Sequence, residues 1–115
     1  MNTGEIHLII GCMFSGKSTE LMKIINRFKL LNRKILAINH IFDTRYGSDK
    51  IISHDRNEEA CIQIEKLNTL LENSEYKMAD IIVIEEGHFF EDLYEFVMYS
   101  CSINKKVYVA GLSGD

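Results

Sequence analysis

Eight consecutive residues, Gly11-Cys12-Met13-Phe14-Ser15-Gly16-Lys17-Ser18, fit the pattern G-x-x-x-x-G-K-S/T, and Thr19 follows directly. A loop of this composition limits what can stand on either side of it. Gly11 and Gly16 let the backbone turn tightly, so that successive N–H groups converge on a polyphosphate. Lys17 then reaches the terminal phosphates, and Ser18 offers its hydroxyl to Mg²⁺. The loop needs a buried strand in front and a helix behind, because the helix N-terminus adds its own anion-binding amides. Both are encoded. Residues 5–10 form a short β-rich apolar run, and 19–32 carry Leu21, Ile24, Ile25, Phe28 and Leu31 at helical spacing.

The rest of the chain continues the alternation. Residues 35–40 read as a second strand, and Asn32, Arg33 and Lys34 close the preceding helix with basic side chains that suit its dipole. A polar stretch at 43–50 leads to Ile51 and Ile52, a short hairpin strand, and residues 60–65 alternate as another strand. Leu67, Leu70 and Leu71 give 66–74 a helical pattern. Residues 80–84 are a buried-type strand. Residues 91–103 suit an amphipathic helix with Leu93, Phe96, Val97 and Ser100 or Cys101 on one face, and 106–112 form a last strand. Strands alternating with helices predict one α/β domain over 1–115, with a parallel sheet covered on both faces. The chain stops just after a core strand, so the domain is expected to be incomplete at its C-terminus. Proline is absent, which leaves the turns to Gly, Asn, Asp and Ser.

Composition narrows the partners. Thirteen basic against seventeen acidic residues give a net charge of −4 with no dense basic block, so no nucleic-acid surface is indicated. The apolar runs are far short of a membrane span, and the N-terminus lacks the charged start and apolar core of a signal peptide. Cys12, Cys61 and Cys101 are odd in number and contain no C-x-x-C pair. They encode neither a zinc site nor a disulfide framework, and they point to reduced thiols in the cytoplasm.

A second chemical stretch lies at residues 81–86, where four apolar residues lead into Glu85 and Glu86. Such a strand end resembles a Walker-B motif, whose first acid orders Mg²⁺ and whose second can take a proton from an attacking hydroxyl. The alternative is two solvated acids capping the next helix. Adjacent strand residues point to opposite faces, so separate roles require a turn here, which Gly87 makes possible. Of Asp43-Thr44-Arg45, Arg45 suits transferring phosphate charge with Asp43 orienting it, although a solvated polar turn has the same appearance. His54 and His88 read as hydrogen-bonding side chains, with no ligand pattern around them. Phe89, Phe90, Tyr94 and Phe96 read mostly as core. Phe89 is either core or the wall of a base pocket.

Five blocks carry more than motif logic: 4–6 with 11–21, Asp43-Thr44-Arg45-Tyr46, Ser53-His54-Asp55-Arg56-Asn57, residues 84–90 and residues 109–115. In this order they resemble the cytosolic and viral type of thymidine kinase across essentially the whole chain. The resemblance implies a P-loop fold and transfer of the ATP γ-phosphoryl group to the 5′-hydroxyl of thymidine for DNA synthesis. It also implies Mg²⁺ and a homotetramer. Gly11, Cys12, Met13, Phe14, Ser15, Gly16, Lys17 and Ser18 become the triphosphate loop, and Asp43, Thr44 and Arg45 a second nucleotide-binding stretch. Glu85, Glu86, Gly87 and His88 become a third. Glu86 matches the catalytic base, and Glu85 with Ser18 the metal-ordering positions. Met13, Phe89 and Leu112 match positions near the thymine. Cys12 stands for a usual Pro, Glu85 for Asp, His88 for Gln and Ser113 for Asp. The family's small zinc lobe, with two C-x-x-C pairs and the lasso that holds thymine, is not encoded in these residues. A truncated, non-catalytic ATP-binding chain is therefore the second reading. Another P-loop enzyme, such as a motor or repair ATPase, would leave the other four blocks as coincidence.

Overall fold

The computed structural model describes residues 4–10, 17–40, 50–52, 58–60 and 62–111. In chain order these are β1 (Glu5–Ile10), α1 (Lys17–Leu30), β2 (Ile35–His40), β3 (Lys50–Ile52), β4 (Glu58–Ala60) and β5 (Ile62–Ile64). A 3₁₀ turn (Leu67–Leu70), α2 (Ser74–Met78), β6 (Ile81–Glu85), a second 3₁₀ turn (Gly87–Phe89), α3 (Leu93–Ser102) and β7 (Lys106–Gly111) follow. Five strands form one parallel sheet in the order β1-β7-β6-β2-β5, while β3 and β4 pair antiparallel as a separate hairpin. β1, which precedes the glycine-bounded segment 11–16, is thus separated from the acid-ending β6 by β7.

Period-two alternation splits the strand residues between two cores. Ala37, Ile81, Val83, Tyr108 and Ala110 turn to one face and pack under Leu21, Met22, Ile24, Ile25 and Phe28 of α1. Leu36, Ile38, Ile82, Ile84, Val107 and Val109 turn to the other, beneath Leu67, Leu70, Tyr76, Phe96 and Val97. Both faces are covered, as a parallel sheet of near-continuous apolar strands requires.

Without proline, asparagine ends the long helices. Asn32 (φ 59°) and Asn104 (φ 69°) both adopt the left-handed conformation just past a helix. After α1, Arg33 N–H donates to Phe28 C=O and Asn32 N–H to Lys29 C=O. After α3, Lys105 N–H donates to Ser100 C=O and Asn104 N–H to Cys101 C=O. Both are Schellman closures, a role open to Asn because it tolerates αL.

Three expectations need correction. Residues 66–74 do not form one helix: the 3₁₀ turn ends at Leu70, and α2 starts separately, its N-cap Asn73 side chain accepting from Tyr76 N–H at 3.1 Å. An N-capping Asn in mid-pattern starts a new helix better than it continues an old one. Residues 60–65 are not one strand, since Ala60 closes the hairpin and Ile62–Ile64 pair with β2. Leu31, expected on the buried stripe of α1, is 60% exposed because the helix has already turned off at Leu30.

Candidate active site

The carboxyl ends of β1, β2, β6 and β7 lie along one edge of the sheet, because all four run parallel. Lys17 and Ser18 are the first two residues of α1, so they belong to the helix start at that same edge. Glu85 is the last residue of β6 and pairs in register with Asn39 of β2. Ile82 and Ile84 face the α3 core while Ile81 and Val83 face α1, so alternation turns Glu85 toward α1. Both Glu85 and Glu86 are 2% exposed. Two adjacent carboxylates so far from water are costly unless positive charge or donors meet them.

Gly87 was expected to make the turn that separates the two acids. The structure assigns that turn to Glu86 itself, which sits in the left-handed region at φ 56°, ψ 47°. For a non-glycine residue that conformation costs about 1–2 kcal/mol and is held only by surrounding structure. Gly87 has a different duty: a Cβ there would stand 2.6 Å from Val109 Cγ1 and 3.4 Å from Leu93 Cδ2. Its missing side chain lets the 3₁₀ turn lie flat on the end of β7. Phe89 N–H donates to Glu86 C=O and Phe90 N–H to Gly87 C=O, both at 3.0 Å.

Around this turn the side chains sort by exposure. His88 Nε2 stands 3.5 Å from Glu86 Oε2. The imidazole lies over Gly111, where a Cβ would come within 3.2 Å of Nδ1, and its ring meets that of Phe89 at 4.4 Å. Phe90 is buried in the core, whereas Phe89 is 43% exposed. Beside Phe89 a cavity of about 340 Å³ opens toward Lys66, Asn68, Glu65 and Glu91, with His40 in its wall. Asp92 borders the same cavity, and its carboxylate accepts the Leu67 and Asn68 N–H groups at 3.1 and 2.9 Å. It thereby joins the start of α3 to the first 3₁₀ turn.

Of the residues singled out from sequence, Lys17, Ser18, Glu85, Glu86, Gly87, His88 and Phe89 are brought to one edge of the sheet. Gly11, Cys12, Met13, Phe14, Ser15, Gly16, Asp43, Thr44, Arg45 and Leu112 lie outside the described residues. Sequence reasoning passed over His40 and Asp92. A polar pair, Asn39-His40, at the carboxyl end of an otherwise apolar strand was the available signal for the first. Asp92 falls inside the 91–103 helical pattern, which gives it no separate signal, whereas the structure makes it the residue just before α3.

A five-stranded parallel sheet covered on both faces by helices, with a buried acid pair at the carboxyl end of β6, defines an α/β protein. The thymidine kinase family model matches residues 4–115, and the chain belongs to that family. It is 41% identical over 116 residues to a thymidine kinase of Monkeypox virus, covering 99% of this chain and 63% of the relative. A thymidine kinase of Vaccinia virus (strain Ankara) is 40% identical over 114 residues, with 99% and 63% covered. One of Yaba monkey tumor virus is 39% identical over 112 residues, with 97% and 60% covered. The chain thus spans about three-fifths of the length of the relatives it matches.

Proposed function

We propose that the chain is the nucleotide-binding core of a thymidine kinase, which transfers the γ-phosphoryl group of ATP to the 5′-hydroxyl of thymidine. The observation that carries this reading is the buried acid pair: Glu85 is turned to the α1 face, and Glu86 is swung out of the strand by its own left-handed turn. Family membership and the names of the relatives support the substrate.

In this reading the amides of residues 11–16 and the Lys17 ammonium hold the polyphosphate, and the α1 N-terminus adds its partial positive charge. Glu86 accepts the proton of the 5′-hydroxyl as that oxygen attacks in line, and Arg45 offsets charge on the transferring group. Mg²⁺ asks for one or two protein oxygens and takes the rest from phosphate and water, so the Glu85 carboxylate with the Ser18 hydroxyl is a fitting donor set. When bound, the ion neutralises phosphate charge. Met13, Phe89 and Leu112 form the thymine surroundings. The same reading puts the protein in the cytoplasm as a homotetramer.

Incubating the purified 115-residue protein with γ-labelled ATP, Mg²⁺ and thymidine tests the proposal. Label is expected in thymidine 5′-monophosphate. Protein that binds ATP yet leaves thymidine unlabelled overturns the catalytic reading in favour of a non-catalytic ATP-binding chain.

A further inference from the structure

We propose that His40 is a positioning residue for nucleoside recognition, acting by fixing the plane of Phe89; this rests on the kinase reading above. Phe89 follows the acid pair by three residues and is half-exposed on a single 3₁₀ turn. One turn held by two hydrogen bonds fixes the backbone but leaves a phenyl ring free to rotate about its side-chain bonds. The ring can be a wall for a flat base only if something behind it restricts that rotation.

His40 is placed to do so. It is the last residue of β2, one beyond the Asn39–Glu85 register pair, so it stands beside the point where the chain leaves β6. Alternation turns it to the α3 face with Leu36 and Ile38, and it is only 4% exposed. Its backbone N–H donates to Asn39 Oδ1 at 2.9 Å, which ties down the strand end. The imidazole meets the edge of Phe90 at 4.8 Å and an interplanar angle of 65°, and Phe89 at 5.6 Å and 43°. Phe90 is locked in the core, so His40 wedged against it passes that rigidity to Phe89. Phe89 also meets His88, at 4.4 Å and an interplanar angle of 38°. The half-exposed ring therefore has two imidazole neighbours, one buried at the end of β2 and one beside the proposed base Glu86. Tilted ring contacts of this kind favour defined geometries over free rotation.

The role is one of shape, so an aromatic replacement should preserve it and a truncation should not. Isothermal titration of the purified protein with thymidine, and separately with ATP·Mg²⁺, distinguishes the cases. His40→Ala should weaken thymidine binding by about three- to tenfold, the fold-change expected for loss of aromatic pairs. ATP binding should stay within about twofold, a change worth under half a kcal/mol. His40→Phe should return thymidine affinity to the parent value. Unchanged thymidine affinity in His40→Ala overturns the proposal. So does an equal loss of ATP affinity, or a folded His40→Phe protein that binds thymidine no better than His40→Ala. Parent protein that binds ATP but no thymidine removes the kinase reading itself, and with it this inference.

Discussion

At the scale of single residues, the turn that follows β6 depends on one side chain in a costly conformation and one that is missing. Glu86 occupies the left-handed region at φ 56°, and Gly87 beside it has no room for a Cβ against Val109. Backbone strain at a strand end that aims a carboxylate is the pattern expected where geometry serves chemistry rather than stability. Gly87→Ala should therefore destabilise the fold by about 1–3 kcal/mol, the usual cost of overpacking, read as a lowered urea midpoint. Because the obstacle is Val109 Cγ1, adding Val109→Ala should make the double variant more stable than the sum of the two single effects. Strict additivity would mean that Gly87 is not there for space. The sequence showed that a glycine follows the acid pair. It did not show that the acid makes the turn, because φ is set by the packing of the 3₁₀ turn on β7 and not by residue type.

At the scale of elements, α2 is only five residues long and gains little from its own hydrogen bonds. It is held by what crosses to it. The Lys105 ammonium, just before β7, donates to Lys77 C=O at 3.2 Å and Ala79 C=O at 2.7 Å, and lies 4.9 Å from the centre of the Tyr76 ring. Tyr76 hydrogen-bonds Ser100 of α3 at 2.6 Å. One cation thus stitches the end of α2 to the sheet. Lys105→Met should cost about 1–3 kcal/mol by leaving two carbonyls without their donor, measured by urea unfolding at neutral pH. An unchanged midpoint contradicts the stitch. Burial pushes the Lys105 ammonium below its ordinary value of 10.5, so the unfolded chain binds more protons between the folded value and 10.5. Stability from this group therefore rises with pH through that window. Burial raises the Tyr76 phenol above 10.0, so the folded chain keeps a proton that the unfolded chain loses, and stability from this group falls as pH passes 10.0. Lys105→Met should remove the rising part and leave the falling part in place.

At the scale of the whole molecule, the sheet, its parallel sense and the two-sided cover were legible because apolar runs, glycine punctuation and helical spacing agree. The order β1-β7-β6-β2-β5 was not, since nothing in a local pattern says that the last strand inserts between the first and the acid-bearing one. Residues 60–74 were misread for a related reason. Short apolar triplets satisfy strand and helix templates alike, and tertiary pairing with β2 decides between them. The candidate site was legible in Lys17, Ser18, Glu85 and Glu86, which motif spacing singles out and the fold brings to one edge of the sheet. It was not legible in His40, which is assembled by the sheet from a strand forty-five residues before Glu85.

All of this converges on whether the carboxylate lifted out of β6 takes the proton of the attacking hydroxyl. Glu86→Gln keeps the size of the side chain and removes its basicity. Turnover of thymidine should fall by at least about a hundredfold, the lower range for loss of a general base, while ATP affinity stays within about twofold. A Glu86→Gln protein that phosphorylates thymidine at the parent rate would contradict the account.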